Sequence, residues 1–218
     1  MRTTVIGSGD AFGSGGRFQT CIALAGADPA DAPHTLLDCG ASSMVALRQH
    51  GVDLNALETV LISHLHGDHF GGLPFLILDG QFRRRSTDLT VVGPPGTQSR
   101  LTGAMEALFP GSSTARRRFS VQVIEHADRV AHRTDRFSVT PFEVRHASGA
   151  PAYALRVTDA ATNATLAYSG DTEWTDALIE PRMAQRSSSA RATRPARCAG
   201  TSTSTPSPYT VVGSAADS

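Results

Sequence analysis

The sequence predicts one α/β domain over residues 1–180, in which layers of sheet and helix pack together. Short β-branched runs alternate with segments whose apolar residues recur at helical spacing. The length of 218 residues and a hydrophobic content of 40% suit a single domain with a buried core. Because residues 181–218 differ in composition, we expect the domain to end near residue 180.

The expected elements follow one another with turn residues between them. Strands are expected at residues 3–6, 21–24, 35–37, 59–62, 89–92, 121–124, 137–144, 152–157 and 166–168. One helix is expected to begin at Ser42 or Ser43, and others to span about 70–78, 101–108 and 174–179. This mixture of strands and helices is typical of a layered α/β fold.

Charge, hydropathy and cysteine content exclude several classes of protein. The 20 basic residues are all arginine and balance 20 acidic residues, which argues against nucleic-acid binding through overall charge. The chain lacks both the long apolar run of a membrane-spanning helix and the pattern of a secretory signal, so we expect a cytoplasmic protein without a membrane partner. Cys21, Cys39 and Cys198 are too widely spaced for a CxxC zinc site.

Residues 181–218 are rich in Ser, Thr, Ala, Pro and Arg, with five arginines and one acidic residue, Asp217. Such a composition predicts a low-complexity, disordered tail, because it offers little apolar surface to offset the entropy of ordering. Two alternatives remain open. The tail could contact phosphates through its arginines. It could also be the product of a shifted reading frame, since lysine-free, arginine-rich usage indicates a GC-rich gene.

The strongest chemical signal is the segment Ser63-His64-Leu65-His66-Gly67-Asp68-His69, which directly follows an expected strand. On extended backbone, His64 and His66 project to the same side and can reach one cation. Gly67 allows the chain to turn, so that Asp68 and His69 point toward a second position. Imidazoles with a carboxylate suit zinc better than calcium or magnesium. The alternative is a polar loop with ordinary surface histidines.

With its surroundings, this segment resembles the metal-binding motif of the metallo-β-lactamase fold hydrolases. The supporting segments are TVIGSGD, LLDCGAS, GGLP, Val144-Arg145-His146 and LAYSGDT, in an order similar to the branch of ribonuclease Z and related phosphodiesterases. The resemblance covers residues 1–180 and implies an αββα sandwich with metals at one edge between two sheets. It also implies two zinc ions that share a hydroxide. By position, one zinc would be held by His64, His66 and His146, the second by Asp68 and His69, and Asp171 would bridge them.

Two of the later ligands have competing interpretations. His146 ends an alternating strand, where a side chain can enter a site at a sheet edge, but His126 and His132 are nearby competitors. Asp171 follows the LAYS strand and could instead cap the helix expected around Trp174.

Other candidates near the motif have different expected roles. Asp68 is the candidate catalytic residue, because it could orient the nucleophile or accept its proton. Asp38 also ends a strand, and its expected role is structural, through hydrogen bonds to backbone amides. Cys21 and Cys39 are expected to pack as small apolar groups.

The chain departs from the family pattern after His146. Members of this fold supply one more histidine from a late strand, but residues 147–218 contain none. The second zinc site is therefore expected to be one ligand short, with weak or single-metal occupancy. The last strand and helix of the sandwich are also expected to be missing. A catalytically impaired, truncated relative that keeps a partial metal site is the alternative to an active enzyme.

The expected function is zinc-dependent hydrolysis of small phosphodiesters or nucleotides, with ester or lactone hydrolysis as the alternative within the fold. A ribonuclease Z-type tRNA 3′ endonuclease is a further alternative, but that family carries a long tRNA-gripping arm between the positions of His146 and Asp171. Only 25 residues separate these two positions here. The triplets 83–85 and 116–118 are either phosphate-binding arginines or solvated surface. A homodimer is compatible with the sequence.

Overall fold

Two β-sheets that lie face to face form the centre of a computed structural model, which describes residues 1–134, 136–180, 211 and 212. The first sheet has the order β1 (Arg2–Gly7), β2 (Cys21–Ala25), β3 (Thr35–Leu37), β4 (Thr59–Leu61), β5 (Leu89–Gly93), β6 (Val121–Glu125). The second has the order β11 (Val211–Val212), β10 (Thr165–Tyr168), β9 (Ala152–Asp159), β8 (Phe137–Val144), β7 (His132–Arg133). Strands β3 to β6 are parallel, whereas β7 to β10 are antiparallel.

Four α-helices are described: α1 (Ser43–Gln49), α2 (Gly67–Phe70), α3 (Leu73–Phe82) and α4 (Thr97–Leu108). Side chains alternate along each strand of the first sheet, so its two faces bury different residues. Leu36, Val60 and Val91 pack in one cluster with apolar residues of α1, α3 and α4. The next residue along each strand (Leu37, Leu61 and Val92) faces the second sheet instead. Burial on both faces explains why these strands are almost continuously apolar.

The second sheet buries Phe137, Val139, Leu155 and Val157 against the first sheet. Its other face carries a small cluster of Phe142, Val144, Ala152 and Ala154, covered by Ala177 and Leu178. These two covering residues belong to a short 3₁₀ helix, Asp176–Leu178. The α/β prediction is confirmed, and within the described ranges this 3₁₀ turn is the only helical element on the outer face of the second sheet.

The expected strands all form, but two expected helices differ from the prediction. The helix expected at 174–179 is only the 3₁₀ turn, in which the Thr175 side chain accepts a hydrogen bond from the Ala177 amide. The helix expected at 70–78 is divided into α2 and α3 around Gly71 and Gly72. The backbone at Gly72 lies so close to the backbone at Gly40 that a Cβ on Gly72 would be 2.4 Å from the Gly40 carbonyl oxygen. The two-residue strand β7 was not predicted, because two residues are too few for a pattern.

The prediction of a disordered tail falls on residues that lie outside the described ones, apart from Val211 and Val212. These two pair in parallel with Ala167 and Tyr168 of β10. The domain boundary near residue 180 stays a prediction. No helix in the described ranges combines the length and apolar composition that crossing a membrane requires.

Candidate metal centre

Four strand ends meet at one edge of the sandwich and bring the candidate ligands together. Because β3 and β4 are parallel neighbours, Asp38 and the segment 63–69, which follow them, lie side by side. In the second sheet β8 and β10 run in the same direction, with β9 antiparallel between them. Their ends therefore carry His146 and Asp171 to a common edge. Segments that are distant in the sequence thus share one site.

Three histidines form the first group of candidate ligands. The ligand atoms of His64, His66 and His146 all lie within 4.8 Å of one another. His146 Nε2 is 3.1 Å from His66 Nδ1, although 80 residues separate the two along the chain. The three ring centroids are 4.7 to 5.0 Å apart. This geometry allows one cation to contact three imidazoles.

A second group adjoins the first and shares His64 with it. The ligand atoms of His64, His69 and Asp171 also lie within 4.8 Å of one another. His69 Nε2 is 3.4 Å from a carboxylate oxygen of Asp171 and 3.5 Å from one of Asp68. The structure thus brings all six predicted site residues to one place.

The competing candidates lie elsewhere. His126 is buried against Tyr153, with ring centroids 5.4 Å apart, and His132 belongs to β7. Within the described ranges, neither histidine is part of a group that could hold a metal. Asp171 does not cap the turn after it, because the side chain of Thr175 does so.

Asp38 has a second role that the sequence did not reveal. Its carboxylate is fully buried and accepts hydrogen bonds from the Ser63 amide at 2.7 Å and the Ser63 hydroxyl at 2.8 Å. It also accepts from His69 Nδ1 at 2.7 Å and from the Tyr168 hydroxyl at 2.5 Å. The expected bond to a backbone amide is therefore present, but three side chains depend on the same carboxylate. Asp38 has a φ of 55°, a strained backbone conformation that is rare outside glycine.

These hydrogen bonds decide which nitrogen of each ring is available. Because Asp38 accepts from Nδ1 of His69, Nε2 of that ring points toward Asp68 and Asp171. The Ser63 hydroxyl donates to Asp38, so its oxygen can accept from His64 Nδ1 at 3.1 Å. Asp38 thus orients His69 directly and His64 through Ser63, which is how carboxylates usually position metal-binding histidines.

Electrostatics divide the histidines into neutral and charged rings. Burial, with the charge on His69, lowers the pKa of His64 to about 4, so this imidazole is neutral at pH 7. Burial also lowers the pKa of His146. Burial acts in the same direction on His69, but its three carboxylate neighbours outweigh it and raise the pKa to about 12. Three carboxylates around one imidazolium leave negative charge in excess, a field that favours a divalent cation.

Asp68 is held in the ionised form. Burial alone would raise the pKa of its carboxyl group, but the hydrogen bond and charge of His69 outweigh burial and lower it below the ordinary value. The carboxylate is mostly buried in the first turn of α2. At neutral pH it is therefore available as a metal ligand or as a base.

The donor set fits a zinc ion. Nε2 of His64 is buried and has no hydrogen-bond partner among the described residues. A buried nitrogen without a partner costs free energy, unless the nitrogen binds something. Imidazoles and carboxylates in this combination are ligands that zinc prefers. The residues present therefore suit the metal that the family resemblance implies.

The arginine triplets are not uniformly available for phosphate binding. Arg85 is only 2% exposed and donates to backbone carbonyls, and Arg117 donates to the carbonyl of Ser112. The expectation of two phosphate-binding or solvated triplets is therefore wrong for these two residues. The other four arginines of the two triplets are exposed: Arg83, Arg84, Arg116 and Arg118.

The two facing sheets and the histidine-rich edge define the class of the chain as the metallo-β-lactamase fold. The short form of human tRNase Z superimposes with a TM-score of 0.63 and 22% identity, covering 83% of this chain and 73% of that protein. YhfI of Bacillus subtilis, a metallo-β-lactamase fold protein, superimposes with a TM-score of 0.64 and 22% identity, covering 82% of this chain and 65% of that one. Residues 1–190 match the profile of the family described as Anti-Pycsar protein Apyc1, and the chain belongs to this family.

Curated relatives of the chain are ribonucleases Z. That of Staphylococcus carnosus is 29% identical over 158 residues, which cover 72% of this chain and 49% of the relative. That of Haloferax volcanii is 30% identical over 158 residues, which cover 71% of this chain and 46% of the relative. The chain spans about half the length of these relatives.

Proposed function

We propose that the chain is a zinc-dependent hydrolase that cleaves phosphodiester bonds in small molecules or nucleotides. The convergence of His64, His66 and His146 beside His69 and Asp171 is the observation that carries this proposal. Its relatives named ribonuclease Z support phosphodiesters as the bond type, since a ribonuclease cleaves RNA. We also propose that this chain has the anti-Pycsar role that the description of its family names.

In the proposed assignment His64, His66 and His146 would hold one zinc ion, Asp68 and His69 would hold a second one more weakly, and Asp171 would contribute to both sites. Zinc here would lower the pKa of a water and place positive charge beside the phosphate under attack. Asp68 would orient the attacking water or accept its proton, because its lowered pKa keeps the carboxylate ionised. Asp38 and Ser63 keep the ligand nitrogens of His69 and His64 directed toward the site.

A small substrate is favoured over tRNA by the segment between His146 and Asp171. Strands β9 and β10 and the short turn between them account for most of this interval. No arm that could grip a folded RNA is inserted there. The ribonuclease Z alternative rests on sequence identity of 29–30% to enzymes of that name. A cytoplasmic location and a homodimer are parts of the proposal that rest on the sequence alone.

Hydrolysis assays with zinc-loaded protein test the proposal. We expect turnover of bis(p-nitrophenyl) phosphate and of a 3′,5′-cyclic mononucleotide, a small natural phosphodiester, but not of precursor tRNA. His66→Ala should lower turnover by more than about 100-fold, because it removes a zinc ligand. His50→Ala removes an exposed histidine at the end of α1 and is the matched control.

Each other result of these assays contradicts part of the proposal. Cleavage of precursor tRNA alone would favour the ribonuclease Z alternative. Turnover of only p-nitrophenyl acetate or a lactone would favour ester hydrolysis. Absence of turnover of every substrate by the zinc-loaded chain would identify a catalytically impaired relative, and equal rates for the two histidine variants would refute the assigned site.

Zinc titration should separate the two metal sites by proton release. The first equivalent should bind tightly and release almost no proton at pH 7, because burial lowers the pKa of His64 and His146. The second should release about one proton, because the raised pKa of His69 keeps that ring charged until zinc displaces the proton. The apparent affinity of the second site for zinc should therefore fall about tenfold for each unit by which the pH is lowered.

Calorimetry in two buffers of different ionisation enthalpy measures these protons, and elemental analysis measures the zinc content. Two zinc ions that survive extensive dialysis would contradict the weak second site. Equal proton release for both equivalents would contradict the assignment of His69 to the second ion.

A further inference from the structure

A polar cleft of about 490 Å³ lies at the edge of the sandwich opposite the metal centre. It is lined by the residues at the beginnings of the parallel strands, whereas the metal ligands follow the ends of strands. The β7–β8 hairpin of the second sheet forms its other wall. This volume lies within the range of about 300–1,000 Å³ that is usual for small-molecule sites.

The first sheet presents a row of polar side chains to this cleft. Thr35, Thr59, Thr90 and Gln122 are paired in register across four adjacent strands. Two residues further along β3, β4, β5 and β6 the same face carries Leu37, Leu61, Val92 and Ile124, which pack between the sheets. The hydroxyls of Thr59 and Thr90 have no hydrogen-bond partner in the described part of the chain. Hydroxyls thus replace the apolar core at this end.

His34 adds an unpartnered buried nitrogen to the cleft. The residue is 4% exposed, and its ring stacks on Phe137 with centroids 5.3 Å apart. Nδ1 contacts the Thr35 hydroxyl at 3.0 Å, whereas Nε2 is buried and has no partner among residues 1–134 and 136–180. A buried nitrogen without a partner calls for an explanation, and a hydrogen bond to a bound molecule is one.

Charges of both signs line the cleft, with Glu58 and Asp88 beside Arg133 and Arg136. Arg136 pairs with Glu58 at 3.6 Å, and Asp88 accepts a hydrogen bond from the Ser120 amide at 2.7 Å. Arg133 also lines the cleft but makes no ion pair with a described residue. A guanidinium in this position suits a phosphate group.

We propose that this cleft is a binding site for a sugar phosphate, independent of the metal centre and of the proposed hydrolase activity. Arg133 contacts the phosphate, and Thr59, Thr90 and His34 bind the sugar hydroxyls. A sugar is favoured over a nucleobase because the described residues of the lining include no Phe, Tyr or Trp on which a base could stack. The threonine hydroxyls of the cleft can both donate and accept hydrogen bonds, so they can pair with the hydroxyl groups of a sugar.

Calorimetric titration with ribose 5-phosphate tests the proposal, with inorganic phosphate and ribose as separate ligands. We expect ribose 5-phosphate to bind more tightly than either fragment. Arg133→Ala should weaken binding by about tenfold or more, and Thr90→Val, which keeps the shape but removes the hydroxyl, by about threefold or more. Thermal unfolding checks that each variant is folded.

Two further variants are controls. Arg116→Ala removes an exposed arginine outside the cleft, and His66→Ala alters the metal centre; both should bind ribose 5-phosphate as the wild type does. Binding that is lost in His66→Ala but kept in Arg133→Ala would place the ligand at the metal centre and overturn the proposal. Equal affinity for inorganic phosphate and ribose 5-phosphate would overturn the sugar part, and the absence of saturable binding would overturn all of it.

Discussion

Replacing Asp38 with alanine is expected to lower the free energy of unfolding by about 3–5 kcal/mol and to weaken zinc binding by about 10–100-fold. The carboxylate accepts four hydrogen bonds in a fully buried position. Its loss would leave the Ser63 amide, the Ser63 hydroxyl and the Tyr168 hydroxyl without an acceptor. It would also remove the group that directs Nε2 of His69 toward the metal centre.

Urea denaturation and competitive zinc titration measure the two effects separately. Asp28→Ala, which removes an exposed aspartate that caps a surface turn, is the matched control and should change neither quantity substantially. Asp38→Asn retains the shape but not the charge, so it should recover part of the stability and little of the zinc affinity. If Asp38→Ala bound zinc normally, the positioning role would be refuted.

Arg85→Ala is expected to cost about 3–5 kcal/mol of stability although Arg85 belongs to a run of three arginines. Its guanidinium donates to the carbonyls of Leu54 at 2.8 Å and Thr87 at 2.6 Å, and also to those of Leu57 and Asp88. It lies over the Phe119 ring at 5.3 Å. The substitution would leave a cavity and several buried carbonyls without donors.

The neighbouring Arg83 supplies the control for this prediction. Its side chain is largely exposed and pairs with Asp79 at 3.1 Å, so Arg83→Ala should cost at most about 1 kcal/mol. Thermal or urea unfolding of both variants measures the difference. Equal stability of the two variants would show that the buried guanidinium contributes no more than a surface ion pair.

The candidate metal-binding segment could be predicted because its information is local. Alternation on an extended backbone places His64 and His66 on one side, and Gly67 permits the turn that separates them from Asp68 and His69. His146 and Asp171 required more: strand ends marked them as candidates, and the family resemblance selected them. Their distance to the first histidines depends on sheet order, which the local pattern does not contain.

Other features were hidden because they depend on neighbours that are distant in the sequence. Asp38 was expected to bind backbone amides, but its contacts with His69 and Tyr168 exist only because β3 and β4 are parallel and the two sheets face each other. Arg85 resembles a surface residue because it belongs to an arginine triplet, but the fold buries its guanidinium against the Phe119 ring. The helix expected at 174–179 is only the 3₁₀ turn Asp176–Leu178, which is capped by Thr175.

Local patterns were thus enough for the fold class, the strand positions and the ligand types, because alternation, turn residues and side-chain chemistry act over a few neighbouring residues. Sheet packing settled which nitrogen of His64 and His69 faces the candidate metal centre, which arginine is buried and where a threonine row lines a cleft. These properties arise from hydrogen bonds and burial between segments up to 130 residues apart, as between Asp38 and Tyr168.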